Sequence, residues 1–523
     1  MSSTDGVPAG GDRLTRAVES LPRRFPGPGG TCAVVRDGEV LVRHAWGWAN
    51  AERRIPFTPG TLFRMCSVTK QFTAALVLDA FADPAVLDAD VRARLPLLEQ
   101  AAPSALHLCH NQSGLRDYWA AAMLHGSPVE ASFGDTEAAR VIGGARSLQF
   151  TPGTRYSYCN QNFRILSDML EVRTGRSFAE LLRQRIFDPA GMETAFLAAD
   201  TRAMPDGTEG YEGSQATGFR AAENRILWTG DAGLGASLDD MIAWERHIDA
   251  TRDDPASLYQ RLSTPVTFAD GTPAQYGFGL GRRTERNRAV TGHGGALRGW
   301  RSHRLHVASE RLSVVVMFNH WSGADDAANC LLAAALDDPL PPPTTVAPAP
   351  PWLGAYIEPE TGLSARITAG RSGQIELQYE RWPDVLDVQS DGSAGTDGAR
   401  LRHDGALWLD IARDNQRSRL QPIAGEPRMD VAGHYRCAEL AAELTVVDAG
   451  GTLYGAFSGF LGQGRMELLD HVAADVWALP CPRALDHTPP GDWTLAFRRD
   501  AAGEVGAVQV GCWLARGLVY DRV

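Results

Sequence analysis

A run without a polar face constrains this chain most. After Lys70 comes Gln71-Phe72-Thr73-Ala74-Ala75-Leu76-Val77-Leu78, made mostly of good helix formers and almost wholly apolar. A helix apolar on all sides belongs inside a domain rather than on its surface. The chain must therefore build a domain around this element. Ser67 falls at the helix's first turn with Lys70 three residues on, and residues at that spacing share one helix face. A hydroxyl is thereby set beside an amine at the rim of a buried element. Burial disfavours a charged lysine, and a neutral amine can take a proton from serine, the arrangement of an activated nucleophile.

Ser-x-x-Lys alone is a common pattern, but composition sharpens it. Lysine and arginine together number 51, and Lys70 is the only lysine among them. Where a plain cation is wanted, this chain uses arginine, which stays protonated in proteins while lysine can deprotonate. The one retained lysine points to a need for a neutral amine.

The remaining composition sets bounds. A length of 523 residues predicts roughly three domains. The net charge of −12 disfavours nucleic acid and anionic membrane as partners. No stretch has the roughly 18 apolar residues of a membrane-spanning helix, and the N-terminus lacks a basic region followed by an apolar one. Eight cysteines without a close pair fit neither a zinc site nor a disulfide scaffold. The expectation is a cytoplasmic enzyme with reduced thiols and no metal or cofactor.

Residues 31–37 and 39–46 read as a hairpin about Asp37-Gly38. Residues 161–187 carry helical periodicity, and Ser237 caps a helix through Met241 and Trp244. Strands are expected at 288–293, 300–307 and 311–319, with a closing helix at 325–336. Both ends of this region then supply one antiparallel sheet, and the inserted helices cover its face. Residues 1–337 form the expected catalytic domain. A proline-rich linker, 338–351, follows. Beyond it an echo between Trp352-Leu-Gly354-Ala-Tyr356 and Ala432-Gly433-His-Tyr435 suggests two related all-β units, 352–424 and 425–523. A single domain of eleven or more strands is the alternative.

Two further motifs carry chemistry. Tyr158-x-Asn160 stands where a loop enters a helix, and His293-Gly294-Gly295 lies on a strand whose glycines allow close approach. There is no Gly-x-Ser-x-Gly, His-Glu-x-x-His or phosphate loop.

Together, Ser67–Lys70, Tyr158–Asn160 and His293–Gly295 resemble the three elements of the penicillin-recognising serine hydrolases. That family includes class C β-lactamases, DD-carboxypeptidases and related esterases and amidases. The stretches from His110 to Leu115, Phe187 to Met192 and Gly233 to Ser237 add to the resemblance. It implies a multidomain α/β plus all-β fold: a β-lactamase-like domain of antiparallel sheet flanked by helices, then two lipocalin-like eight-stranded antiparallel β-barrels. It also implies a serine hydrolase acting through an acyl-enzyme on Ser67, with Lys70 and Tyr158 sharing proton transfer. Asn160 would orient Lys70 and the substrate amide, and His293 would shape the site and bond Tyr158. The N–H groups of Ser67 and Ala296, beside Gly295, would form the oxyanion hole.

Penicillin-binding members usually carry Lys-Thr-Gly on that strand to hold a carboxylate. His293-Gly294-Gly295 has neither cation nor hydroxyl, so β-lactamase and DD-carboxypeptidase activity is not expected. The specific resemblance, in residues 292–301 and 511–517, is to members that release N-terminal D-amino acids, D-alanine preferred. In them a loop matching 481–492 enters the active-site mouth, where Asp486 would face the substrate ammonium and His487 would help close it. A homodimer is implied in the same way. The barrels are expected to serve structure and gating rather than lipid binding. A broad esterase or amidase, or a binding protein on this fold, are the rival readings.

Overall fold

The computed structural model describes residues 9–338, 352–379, 383–396, 398–486 and 491–523, which leaves the expected linker, apart from Asp338, and His487 outside the described residues. The chain divides into two compact bodies. The first takes in 9–87, 163–266 and 275–338; the second takes in 88–162, 267–274 and the chain from 352 onward. The bodies therefore cut the chain differently from the segments expected above.

The first body is built on an eight-stranded antiparallel sheet. Its order is Ile55–Pro56, Glu39–Asn50, Gly29–Arg36, Leu312–Phe318, Trp300–Val307, Arg288–Leu297, Leu280–Glu285 and Tyr276–Gly277. Strands from the two ends of this region meet at its centre, with Ala33 opposite Val315. Asp37 and Gly38 both have positive φ, 53° and 76°, the geometry that a tight hairpin turn needs. Every residue of Leu312–Phe318 is buried, which demands cover on both faces. Leu14, Val18 and Leu331, from helices Ala9–Arg24 and Ala324–Ala335, pack with Val314 and Val316. Helix Leu238–Ala250 also packs on this strand and on Gly29–Arg36. Its cap is as expected: Ser237 Oγ accepts from the Asp240 N–H over 3.1 Å.

The helical run over 161–187 is broken. Asn160–Thr174 ends at Gly175, φ 67°, and Ser177 caps a new helix, Phe178–Leu182, with its N–H donating to Glu180 over 2.8 Å. The first piece is buried nearly all round from Asn160 to Leu170, with Asp168 half-buried, whereas the second buries only Phe178, Leu181 and Leu182.

The second body holds both β units. Eight strands from Gly354–Ile357 to Gln416–Ile423 close into a barrel filled by its own side chains, among them Ile367, Ile375, Leu377, Leu386 and Leu409. The second unit is a curled ten-stranded sheet whose end strands, Gly462–Gln463 and Asp470–Ala473, do not pair with each other. It thus departs from the expected eight-stranded closed barrel. The internal echo has a physical basis. Tyr356 Oη donates to the Trp352 carbonyl over 2.7 Å, and Tyr435 Oη to the Val431 carbonyl over 2.6 Å, so one tyrosine latch opens each unit.

The helices of 88–162 group with this body rather than with the catalytic sheet. Helix Tyr118–Leu124 is buried at every position but Met123, so it needs partners on more than one side. Ala120 and Leu124 enter the core of the curled sheet with Leu444, Trp493 and Leu514. Asp117 N–H donates to the Leu514 carbonyl over 3.0 Å.

Candidate active site

In the first body the nucleophile turn joins strand Phe63–Cys66 to helix Thr69–Ala80. Cys66 sits there at φ 51°, a left-handed conformation that costs a non-glycine residue roughly 1–2 kcal/mol. Several contacts hold the turn in place. Ser302 Oγ donates to the Met65 carbonyl over 2.9 Å, Thr69 Oγ1 donates to the Cys66 carbonyl over 2.6 Å, and Leu234 N–H donates to Thr69 Oγ1 over 2.8 Å. Strain kept by an over-determined surround is typical of functional turns.

Ser67 is half-buried and Lys70 has no exposed surface. Lys70 Nζ donates to Ser67 Oγ over 2.9 Å and to the Asp231 carbonyl over 2.7 Å. It also lies 5.6 Å from the centre of the Phe163 ring. The amine is thus anchored on a backbone oxygen and aimed at the hydroxyl. Gly279, at φ 73°, makes this possible, because a Cβ there would lie 2.4 Å from the Lys70 carbonyl carbon.

His293 and Gly295 come to the same turn. A Cβ on Gly295 would lie 2.1 Å from the Met65 oxygen, so only glycine lets segment 295–296 lie against the turn. His293 Nδ1 donates to the Gly294 carbonyl over 2.6 Å, which leaves Nε2 to accept from Tyr276 Oη at 3.1 Å. Burial, and next the Lys70 charge, pull this imidazole down to about 3. It is neutral at physiological pH. Tyr276 was not anticipated; the only hint is an aromatic residue just ahead of Phe278-Gly279.

Tyr158 and Asn160 belong to the second body. The Tyr158 ring stacks on Trp513, with centres 6.2 Å apart and planes 15° apart. Asn160 donates twice to Asp117 Oδ2, from its backbone N–H over 2.6 Å and from Nδ2 over 2.9 Å. The other oxygen, Oδ1, accepts from Trp119 N–H over 2.9 Å and caps helix Tyr118–Leu124. This pairing aims the Asn160 side-chain oxygen away from Asp117 and makes Asp117 a positioning residue that sequence reasoning missed. Its signal was an acidic residue just before an apolar run.

Asp486 is buried in this body, 4% exposed. The loop that carries it is tied down at its start, where Arg483 pairs with Glu130. Among the described residues no group of three or more His, Cys, Asp or Glu is placed to hold a metal ion. No disulfide bond joins any of the eight cysteines. No helix of the described residues is long and apolar enough to cross a membrane.

Comparison with known proteins gives consistent results along the chain. The family model described as beta-lactamase matches residues 15–338, and that described as D-aminopeptidase, domain B, matches 345–521. A D-aminopeptidase of Gluconobacter oxydans (strain 621H) is 62% identical over 520 residues, which cover 98% of this chain and 99% of the relative. A D-aminopeptidase of Brucella canis is 47% identical, with 98% of each chain covered. Among solved structures, the octameric penicillin-binding protein homologue from Pyrococcus abyssi superposes with a TM-score of 0.53 at 20% identity. That match covers 78% of this chain and 99% of the other, a likeness of fold.

Proposed function

Because the chain belongs to the D-aminopeptidase family, we propose that it is a serine aminopeptidase releasing N-terminal D-amino acids, D-alanine preferred, from short peptides, amides and esters. The observation that carries this reading is the 2.9 Å contact between Ser67 Oγ and the fully buried Lys70 amine.

In the proposed reaction Ser67 Oγ attacks the substrate carbonyl. Lys70 and Tyr158 take up its proton and return one to the leaving amine. A buried amine loses its proton more readily than an exposed one, and the Asp231 carbonyl keeps Nζ in place meanwhile. Trp513 stacks on Tyr158, and Asp117 accepts from Asn160. The N–H groups of Ser67 and Ala296 would bind the oxyanion, an interaction usually worth about 3 kcal/mol. Water then releases the D-amino acid from Ser67.

Two features favour an amino-terminal substrate over a β-lactam. A neutral His293, where a cation would hold a carboxylate, offers an acidic group little. In the same proposal Asp486 serves as the carboxylate that meets the substrate ammonium. An assembly of two copies is part of the same reading. A panel of D- and L-amino acid amides, free and N-acetylated, tests the assignment. Preferential turnover of free D-alanine amide supports it, while equal turnover of acetylated or L-configured amides would favour a broad amidase.

A further inference from the structure

A cavity of about 440 Å³ lies wholly within the second body, between helices Tyr118–Leu124 and Asp135–Gly143 and the turn 438–441 of the curled sheet. We propose that it binds a small carboxylate with an apolar body, at a site other than that of Ser67.

Its charge is the first argument. In a chain of net charge −12, the lining has Arg116, Arg140 and Arg146 against a single carboxylate, Glu439. That carboxylate is already engaged by Arg116 Nη1 at 2.9 Å and Ser147 Oγ at 2.7 Å. Arg140 and Arg146 form no ion pair among the described residues. The Arg140 guanidinium carbon lies 3.9 Å from the centre of the Phe460 ring. A guanidinium set over a ring still has N–H groups to offer a planar, two-oxygen acceptor.

The wall is apolar. Leu97, Leu124, Val141 and Leu440 line the space beside those cations, as expected of a pocket with an apolar body and few polar anchors. His125, 6% exposed, also lines it.

The cavity also adjoins the reaction machinery through one residue. Gln161 lines it, follows Asn160 in sequence, and brackets Asp117: its Nε2 donates to the Arg116 carbonyl and its Oε1 accepts from Tyr118 N–H, both over 2.6 Å. A ligand seated here bears on the segment that positions Asn160.

Calorimetric titration of the full chain with 3-phenylpropionate, 3-phenylpropan-1-ol and D-phenylalanine tests the proposal without relying on turnover. Arg140 and Arg146 are exposed, so R140E/R146E should fold, which its melting curve checks. Each charge-assisted contact is worth about tenfold or more in affinity. Wild type should therefore bind a carboxylate at least tenfold tighter than the alcohol and than R140E/R146E does, and R140K/R146K should recover part of the loss. Tighter D-phenylalanine would assign the site to a released amino acid, with Glu439 meeting its ammonium; tighter 3-phenylpropionate would assign it to a simple acid. Absent binding, equal binding of the alcohol, or affinity unmoved by R140E/R146E would overturn the proposal.

Discussion

Asp117 holds Asn160 twice through a single oxygen, accepting from its backbone N–H at 2.6 Å and from Nδ2 at 2.9 Å. Asp117→Asn keeps the shape but places an amide nitrogen where one of the two acceptor oxygens stood. One charge-assisted bond is lost, a change of about 1.5–3 kcal/mol. We expect kcat/KM to fall about tenfold to a hundredfold, with kcat carrying most of the loss because Asn160 is misoriented. An unchanged kcat in a protein of lowered Tm would restrict Asp117 to capping helix Tyr118–Leu124.

Gly279→Ala tests whether the Lys70 backbone must stay where it is. The new Cβ would meet Lys70 C at 2.4 Å and Gln71 N at 2.5 Å, and neither backbone atom can rotate away. The helix start has to move, so turnover should drop more than about tenfold. Gly503→Ala is the control: its φ is also positive, 85°, but nothing lies within 4 Å. It should cost about 1–2 kcal/mol of stability and leave kcat near wild type.

Acid should destabilise this protein through its histidines. Burial draws His293 and His306 down to about 3 and His125 and His320 to about 4, with neighbouring cations adding to the effect at all but His320. Once unfolded, each takes up a proton below its ordinary value of 6.5, so between about 4 and 6.5 the unfolded chain binds more protons. The stability that comes from keeping these rings neutral is whole above 6.5 and is lost as pH falls towards 4. Tm measured from pH 7.5 to 4.5 should decline, and His306→Gln should flatten the decline. For the same reason His293→Gln should leave the pH dependence of kcat/KM without a lost ionisation between pH 5 and 8.

What could be read from the residues was local. Ser67 and Lys70 were visible because three residues of helix bring them together, and Asp37-Gly38 because its turn needs positive φ. Strand Leu312–Phe318 and helix Ala324–Ala335 lie within a residue of where periodicity put them. Long-range choices were not visible. Nothing near Tyr118 in sequence says that its helix packs with Leu514 rather than on the catalytic sheet. Trp513 gains its meaning only from Tyr158, far off along the chain, and Tyr276 only from His293, 17 residues on and past an intervening strand. Nor does strand alternation reveal whether a sheet closes, since side chains face in and out equally in a barrel and in a curled sheet.

The central claim is that Ser67 carries the acyl group, and its most direct test is chemical. Arg64 and Lys70 bracket the segment, so trypsin releases residues 65–70 as one peptide with Ser67 inside it. After reaction with a fluorophosphonate, mass spectrometry should find the phosphonyl group on Ser67 in that peptide, formed in step with loss of D-alanine amide turnover, and Ser67→Ala should neither label nor turn over. Full inactivation with the label on another residue, or a Ser67→Ala variant within tenfold of wild-type turnover, would contradict the account.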